Sequence, residues 1–281
     1  MSLDQSFDEE DEGMSFLDHL EILRWHLIRI VIALLVFGIV AFVFKGIVFD
    51  TIILAPAFND FVTYQLLCDL SQWLNLGENL CFKDLKFELI NLTMAGQFSM
   101  HILVSVVAAL VISFPYILYE LWRFIKPALK KSEKNYAKGI VFWGSLLFLT
   151  GVAFGYYVIT PMSVQFLGGY RVSDLVHNQI SLKSYISTVS TITLATGLIF
   201  QLPIVVYFLS KVGLVTPHLM KTYRRHAIIA VLILSAIITP PDITSQVLVS
   251  IPLVILYEIS IIISRAVAKK EAEKEGKCKQ Q

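Results

Sequence analysis

The sequence predicts an all-α integral membrane protein with six transmembrane helices, and three observations support this fold class. Of the 281 residues, 56% are hydrophobic and 16% are charged, and the mean hydropathy is +0.69. This composition is too apolar for a soluble globular domain. Six apolar runs stand out, and most of them reach the length that crosses a bilayer. Lys and Arg collect in alternate segments between those runs.

The chain divides into an acidic tail, one membrane domain and a basic tail. Residues 1–14 contain six carboxylates, and we predict that they are disordered. An acidic start is opposite in sign to a secretory n-region, so we expect no cleavable signal peptide. Residues 15–265 are predicted to form a single six-span domain, and residues 266–281 a basic cytoplasmic tail. The predicted spans are residues 27–44, 98–118, 140–159, 186–208, 227–238 and 247–264.

The basic residues between the spans predict the orientation. Both termini, together with the loops before the third and fifth spans, contain 18 of the 23 Lys and Arg residues. Loops rich in Lys and Arg stay in the cytoplasm by the positive-inside rule. The sequence therefore predicts a multi-pass protein with both termini cytoplasmic.

The segment that precedes the first span, SFLDHLEILRWHL, has the features of a capped amphipathic helix. Ser15 is the predicted N-cap, and Asp18 follows three residues later. Apolar residues at helical spacing form one stripe along the segment. We expect this helix to lie along the inner membrane interface and then to turn into the first span.

The fifth predicted span is unusually short. Its twelve residues, AIIAVLILSAII, would rise only about 18 Å as a helix, whereas the hydrocarbon core is about 30 Å thick. The run ends at Thr239, Pro240, Pro241 and Asp242. Two interpretations stay open: a tight turn in which Asp242 caps the next helix, and a hairpin that thins the bilayer or lines a hydrated concavity.

Two polar residues fall inside predicted spans, Gln201 in the fourth and Glu258 in the sixth. Intramembrane ionisable residues are costly and often functional; the alternative is a hydrogen bond to a neighbouring helix that serves only packing. Gly151 and Gly155 have GxxxG spacing, which predicts close helix packing. Kinked helices are predicted where prolines interrupt three spans, at Pro115, Pro203 and Pro252.

The sequence contains no catalytic, nucleotide-binding or metal-binding signature. HExxH, GxSxG and GxxxxGK[ST] motifs are missing, and the six histidines are scattered. An enzyme is therefore disfavoured, and no cofactor or metal site is predicted. A net charge of +1 does not indicate a nucleic-acid partner. Cys68 and Cys81 fall in the first outer loop, where a disulfide is permitted, although loop cysteines are often unpaired.

Four segments of the chain carry a specific family pattern. In order, they are SFLDHLEILRWHLI, FPYILYELWRFIKPALKKSE, GVAFGYYVITP and ITPPDITSQVLVSIPLVILYEIS. Together they resemble the TatC family, the six-span core of the twin-arginine protein translocase, from about Phe16 to Arg265. The resemblance implies a cupped fold with short fifth and sixth spans in the bacterial cytoplasmic (inner) membrane. It also implies export of folded proteins by the proton motive force, without a nucleotide.

In the TatC family, a glutamate of the first inner loop accepts the paired arginines of a signal peptide. Glu133 matches that position, and Phe124 matches an aromatic residue beside it. A guanidinium pairs with a carboxylate through two parallel hydrogen bonds, whereas lysine offers a point charge, so a lone carboxylate can distinguish Arg-Arg from Lys-Lys. Without the resemblance, Glu133 would be a solvated partner of Lys130 on the preceding helical turn.

The amino-terminal motif departs from the family pattern HLxELR, whose glutamate is a second signal-peptide contact. In HLEILR, Ile22 occupies that position and Glu21 precedes it, about 100° around a helix. The resemblance carries over His19 and Arg24 as contacts, with Leu27 on the same segment. Glu21 would substitute only if the helix rolled or the signal peptide approached differently.

The remaining matches concern transport and assembly. Many relatives have a glutamate where this chain has Gln201, which keeps a polar group but removes its titration. Further positions linked to the outer cap or to transport are Pro56, Tyr156, Asp242 and Gln246, and Glu258 joins them as an intramembrane carboxylate. The implied partners are twin-arginine signal peptides, small single-span subunits of the TatA/TatB type, membrane lipid and further copies of this chain within a larger complex.

The sequence therefore predicts the receptor and assembly platform of a twin-arginine translocase. Two other classes of protein stay open. A secondary transporter of a small solute would bind its substrate or protons at Glu258, Asp242 and Gln201. A purely structural membrane scaffold would tolerate substitutions at Glu133, Asp242 and Gln246.

Overall fold

The computed structural model describes residues 16–73, 88–125, 137–170, 172–173, 178–239 and 243–278. The described part is predominantly α-helical, as predicted. Its helices are α1 (Phe16–Val43), α2 (Val62–Trp73), α3 (Gly96–Ile125), α4 (Ala137–Phe154), α5 (Thr160–Gly169), α6 (Leu182–Ile199), α7 (Leu202–Lys211), α8 (Pro217–Thr222), α9 (Arg224–Ile238) and α10 (Ile243–Cys278). Two short strands, β1 (Glu88–Ile90) and β2 (Gln179–Ser181), pair in parallel with Leu89 opposite Ile180.

Helix α1 runs without interruption from Phe16 to Val43. The predicted turn between an interfacial helix and the first span is therefore wrong. The two segments share one continuous run of residues with no internal proline or glycine before Gly38, so nothing in the backbone favours a break. The predicted N-cap, Ser15, lies outside the described residues.

Helices α1 and α3 pack against each other in antiparallel orientation. His26 contacts Glu120, Gly38 faces Ala109, and the carbonyl of Phe42 accepts from His101. We call the side of the bundle on which α1 begins the near side, and the side on which α1 ends the far side. Both designations describe the fold and do not assign a membrane face.

Helices α4 and α6 approach closely, as the GxxxG spacing predicts. A Cβ atom added at Gly151 would lie 2.7 Å from the Phe200 side chain and 2.9 Å from the Gly197 backbone. One at Gly155 would lie 3.1 Å from Thr196. Small residues on both helices therefore allow the backbones to meet where larger side chains would collide.

Of the three predicted spans that contain a proline, only the fourth is interrupted in the structure. Helices α3 and α10 continue through Pro115 and Pro252. The predicted fourth span does divide, at Phe200 and Gln201, and Pro203 lies in the first turn of α7. Proline is tolerated in a first turn because its missing N–H has no intrahelical partner there.

The far side is covered by an irregular cap. A π-helical segment, Ile47–Ile53, leads into a 3₁₀ turn, Ala55–Ala57, and then into α2. A second π-helical segment, Gly155–Ile159, joins α4 to α5. Beneath the cap, Ile53, Met100, Val104, Tyr185 and Ile186 form part of a buried apolar cluster, so the cap and the spans share one core.

Five helices in the described residues are long and apolar enough to cross a membrane: Leu20–Val43, Gly96–Phe124, Gly139–Gly169, Leu182–Lys211 and Ser245–Lys269. They coincide with the first four predicted spans and the sixth. The predicted fifth span forms α9, whose 15 residues rise only about 22 Å. The protein is thus a multi-span membrane protein, and the count of six spans stays a prediction.

Candidate functional site

A buried carboxylate joins α1 to α3 at the near side. Glu120 is 2% exposed and His26 is 7% exposed. His26 donates a hydrogen bond from Nδ1 to Glu120 Oε2, and the Tyr116 hydroxyl donates to Glu120 Oε1 over 3.0 Å. The guanidinium of Arg29 lies 3.9 Å from Glu120 and is partly exposed. Each oxygen of this buried carboxylate therefore has a partner, as a charge removed from water requires.

Phe124 lies one helical turn beyond Glu120. Its half-buried ring meets the His26 ring edge-on, with centroids 6.1 Å apart. On the other side of α3, the Trp122 ring packs edge-on against Phe208 of α7 at 4.8 Å. The end of α3 is therefore held between α1 and α7. Glu133 follows this end of the chain but lies outside the described residues, so its predicted role stays a prediction.

The burial pattern of α1 separates Ile22 from Glu21. Ile22 is half-buried, and it precedes the buried His26 and Ile30 at four-residue intervals, so the three lie on the face that packs against α3. Glu21 is exposed. Ile22, the position at which the family pattern has a glutamate, thus lies on the face of α1 that packs against α3. Glu21 lies about 100° around the helix from that face.

The other predicted contacts of the amino-terminal motif lie on the outside of α1. Arg24 and Leu27 are exposed and line a shallow apolar groove of about 420 Å³ along the helix. His19 belongs to α1, but its side chain lies outside the described set. The structure therefore brings Arg24 and Leu27 to the same end of the bundle as Phe124, on a neighbouring surface.

Glu258 has a charged neighbour on another helix. Arg224 Nε lies 2.6 Å from Glu258 Oε1, an ion-pair distance without the alignment of a hydrogen bond. Both side chains are partly exposed. Because Arg224 begins α9, this pair joins the first turn of α9 to α10. The contact supports a packing role for Glu258 better than an isolated ionisable site.

Gln201 also has a neighbouring helix as its partner. Its Nε2 donates to the Gly144 carbonyl of α4 over 2.9 Å. The bond lies where α6 ends and α7 begins, so the amide connects the break in the predicted fourth span to α4. This hydrogen bond to a neighbouring helix supports the alternative interpretation, in which Gln201 serves packing.

Three tyrosines hold the far-side cap to the spans. The Tyr64 hydroxyl shares its one proton between the carbonyls of Pro56 and Pro161, at 3.0 and 3.1 Å. Tyr156 donates to the carbonyl of Ile52 at 2.6 Å, and Tyr185 donates to the carbonyl of Ile53 at 2.9 Å. Both carbonyls belong to the π-helical segment Ile47–Ile53. Burial raises the pKa of Tyr64, so its hydroxyl keeps its proton and remains a donor.

Pro56 and Tyr156 were predicted from the family pattern. Pro56 lies within the 3₁₀ turn of the cap, and Tyr156 contacts the cap through its hydrogen bond to Ile52.

Gln246 donates from Nε2 to the Leu232 carbonyl of α9 over 3.3 Å. Asp242 lies outside the described residues. Cys68 is disulfide-bonded; Cys81 lies outside the described residues, so the Cys68–Cys81 pairing stays a prediction.

Sequence reasoning missed Glu120 and His26. Both lie within segments that carry the family pattern, yet neither has an unusual local signature. The available signal was the spacing of Tyr116 and Glu120, which puts two polar side chains on one face of an otherwise apolar helix. No group of three His, Cys, Asp or Glu side chains arranged for a metal ion occurs among the described residues.

Comparisons with known proteins point to one family. The model of the family "Sec-independent protein translocase protein (TatC)" matches residues 18–252. A TatC protein from Blattabacterium sp. subsp. Periplaneta americana is 39% identical over 263 residues, covering 93% of this chain and 99% of the relative. One from Helicobacter pylori strain J99 is 42% identical over 195 residues, covering 69% and 78%.

Two solved structures are also similar. Both are crystal structures of the twin arginine translocase receptor TatC, one of them in the detergent DDM. The latter has a TM-score of 0.68 and 33% identity, covering 88% of this chain and 99% of that one. The other has a TM-score of 0.64 and 32% identity, covering 89% and 99%. With sequence, length and fold all matched, this chain belongs to the TatC family of Sec-independent protein translocase proteins.

Proposed function

We propose that this protein is the receptor subunit of a twin-arginine translocase and binds Arg-Arg signal peptides at the near side. The observation that carries the proposal is the contact between His26 and Glu120. It joins the amino-terminal motif of α1 to the end of α3, two segments that are 94 residues apart in the chain. Phe124 lies at this junction, and Glu133 follows eight residues after α3 ends at Ile125.

Glu133 is the proposed acceptor for the signal-peptide arginines. In a loop with several lysines, a carboxylate can form the bidentate pair that a guanidinium makes and an ammonium does not. Because Ile22 replaces the second family acceptor and Glu21 lies on another face of α1, we propose that Glu133 carries most of the recognition. Arg24, His19 and Leu27 would contact the rest of the signal peptide.

Site-specific photocrosslinking tests this assignment. A photoreactive residue at Phe124 should crosslink a signal peptide with Arg-Arg much more strongly than one with Lys-Lys. Glu133→Ala should abolish this preference, and the matched variant Glu21→Ala should weaken the crosslink less. Equal crosslinking of the two peptides, or an Arg-Arg preference that survives Glu133→Ala, would sink the proposal.

The proposed orientation puts the near side in the cytoplasm of the bacterial inner membrane, together with both termini. The support is the concentration of Lys and Arg in the segments that would lie there. Single cysteines introduced at Arg225 and at Asp60 should react with an impermeant thiol reagent from opposite sides of the membrane. Labelling of both from the same side would contradict the orientation.

We further propose that small single-span subunits assemble on this protein, and that several copies of it join in the complex. The short α9 supports local thinning of the bilayer, since about 22 Å of helix meets a core of about 30 Å. Adding one turn of leucines to α9 should impair export and leave signal-peptide crosslinking intact. Normal export by the lengthened protein would count against thinning.

The secondary-transporter alternative gains no support from its three residues. Glu258 lies beside Arg224, Gln201 donates to a backbone carbonyl, and Asp242 lies outside the described residues. A family whose members are named protein translocase proteins has a transport role of a different kind. Transport of protein substrates is therefore the function we propose.

A further inference from the structure

The far side contains a cavity whose polar groups have no part in the proposed function. It has a volume of about 500 Å³ and lies where α1 ends and α3 and α6 begin. Lys45, Asp50 and His101 contribute polar atoms to it, while Phe49 and Phe98 contribute apolar surface. A few polar groups on apolar walls are typical of a small-molecule site.

One wall of the cavity is firmly held. The His101 ring stacks on Phe42, with centroids 3.9 Å apart and planes within 9°. Its Nε2 donates to the Phe42 carbonyl over 3.0 Å, and Phe49 meets the ring edge-on at 5.5 Å. This wall therefore does not need to rearrange when a ligand enters, which lowers the cost of binding.

Lys45 and Asp50 carry opposite charges in the same cavity without pairing. Both side chains are exposed, and neither has an ion-pair or hydrogen-bond partner within the described ranges. Two unpaired charges of opposite sign on one cavity match a ligand that carries both signs. An anionic ligand alone would meet repulsion from Asp50, and a cationic one repulsion from Lys45.

The position of the cavity relative to the membrane identifies the source of such a ligand. The apolar window of α1 ends at Val43, so Lys45 follows directly at the level where headgroups begin. Phe98 is exposed beside the cavity, and an exposed aromatic ring at this level suits contact with acyl chains. The ligand is therefore expected to arrive from the lipid and not from solution.

We propose that this cavity binds the headgroup of a phospholipid with a primary amine, of the phosphatidylethanolamine class. Lys45 contacts the phosphate and Asp50 accepts hydrogen bonds from the ammonium. A choline headgroup has no N–H to donate to Asp50, and a glycerol headgroup leaves Asp50 facing a net anion. The site lies at the opposite end of the bundle from the proposed signal-peptide site, and it does not depend on that assignment.

Native mass spectrometry of the delipidated full-length protein tests the proposal, with dioleoyl phosphatidylethanolamine, phosphatidylcholine and phosphatidylglycerol added at equal concentration. We expect about fivefold higher retention of the ethanolamine lipid, since a partly exposed ion pair contributes a factor of this size. Asp50→Asn should lower that retention to the level of the choline lipid. Lys45→Gln removes the contact to the phosphate that all three lipids share, so it should lower the retention of all three. Both residues are exposed, so neither change should disturb folding.

Matched controls come from the same side of the bundle. Lys183→Gln and Asp60→Asn remove exposed charges that do not line the cavity, and they should leave the lipid preference unchanged. Equal retention of the three lipids would overturn the proposal, and so would a preference for phosphatidylglycerol. A loss of preference in the control variants as large as in Asp50→Asn would also overturn it.

Discussion

The pairing of His26 with Glu120 leads to the most direct prediction from the structure. His26→Leu removes the imidazole from a carboxylate that is 2% exposed. Glu120 would retain the hydroxyl of Tyr116 at 3.0 Å and the distant Arg29 at 3.9 Å. Removing one partner of a buried pair costs about 3–5 kcal/mol. Since two partial partners remain, we expect the lower value, a loss of about 3 kcal/mol in the free energy of unfolding.

The converse change should cost less. Glu120→Leu leaves the buried imidazole of His26 without its acceptor, so the loss is that of an unsatisfied donor, about 1–3 kcal/mol. The double variant replaces both members by apolar side chains and leaves neither group unpaired. A buried ion pair replaced in this way is often neutral in stability. The two single losses sum to about 4–6 kcal/mol, and the double variant should lose far less than that sum because the two residues are in contact.

Unfolding in mixed micelles, followed by tryptophan fluorescence, measures the free energy of unfolding of the wild type, the two single variants and the double variant. Glu21→Leu is the matched control, because Glu21 is an exposed carboxylate on α1, and its change should stay within about 0.5 kcal/mol. Losses that add within about 0.5 kcal/mol would refute the reasoning, since distant and independent sites behave in that way. A neutral effect of His26→Leu would refute it equally.

Three further predictions use the same unfolding assay. Gly151→Ala forces a Cβ to within 2.7 Å of the Phe200 side chain and 2.9 Å of the Gly197 backbone, and it should cost about 1–3 kcal/mol. Gly139→Ala, with open space around it, should be neutral, and equal losses would contradict close packing. Gln201→Leu loses a hydrogen bond between spans and should cost only about 0.6 kcal/mol, so a loss of several kcal/mol would mean that the amide has another role. Tyr64→Phe removes the donor to the Pro56 carbonyl in the cap and to the Pro161 carbonyl in α5, and it should cost about 1–2 kcal/mol. Because burial raises the pKa of Tyr64, the contribution of Tyr64 to the free energy of unfolding is complete below about pH 10 and declines as the pH rises further. A stability difference between wild type and Tyr64→Phe that grows above that pH would contradict this expectation.

The membrane fold and its family could be predicted from the sequence by itself. Runs such as residues 98–118 identify spans because a helix that crosses lipid must be apolar over about 20 residues, and this constraint is local. The short run before Thr239 was evident for the same reason, as was the close approach at Gly151. The family pattern around Glu133 and Phe124 is likewise a property of consecutive residues.

The partners of the polar side chains were decided only by the tertiary structure. His26 and Glu120 are unremarkable in their own segments, and their pairing depends on the register in which α1 and α3 pack. The same applies to Glu258, whose partner Arg224 begins another helix. A polar group in an apolar sequence must find a partner, but hydropathy does not say which one. That choice is made when antiparallel helices bring together residues that lie far apart in the chain.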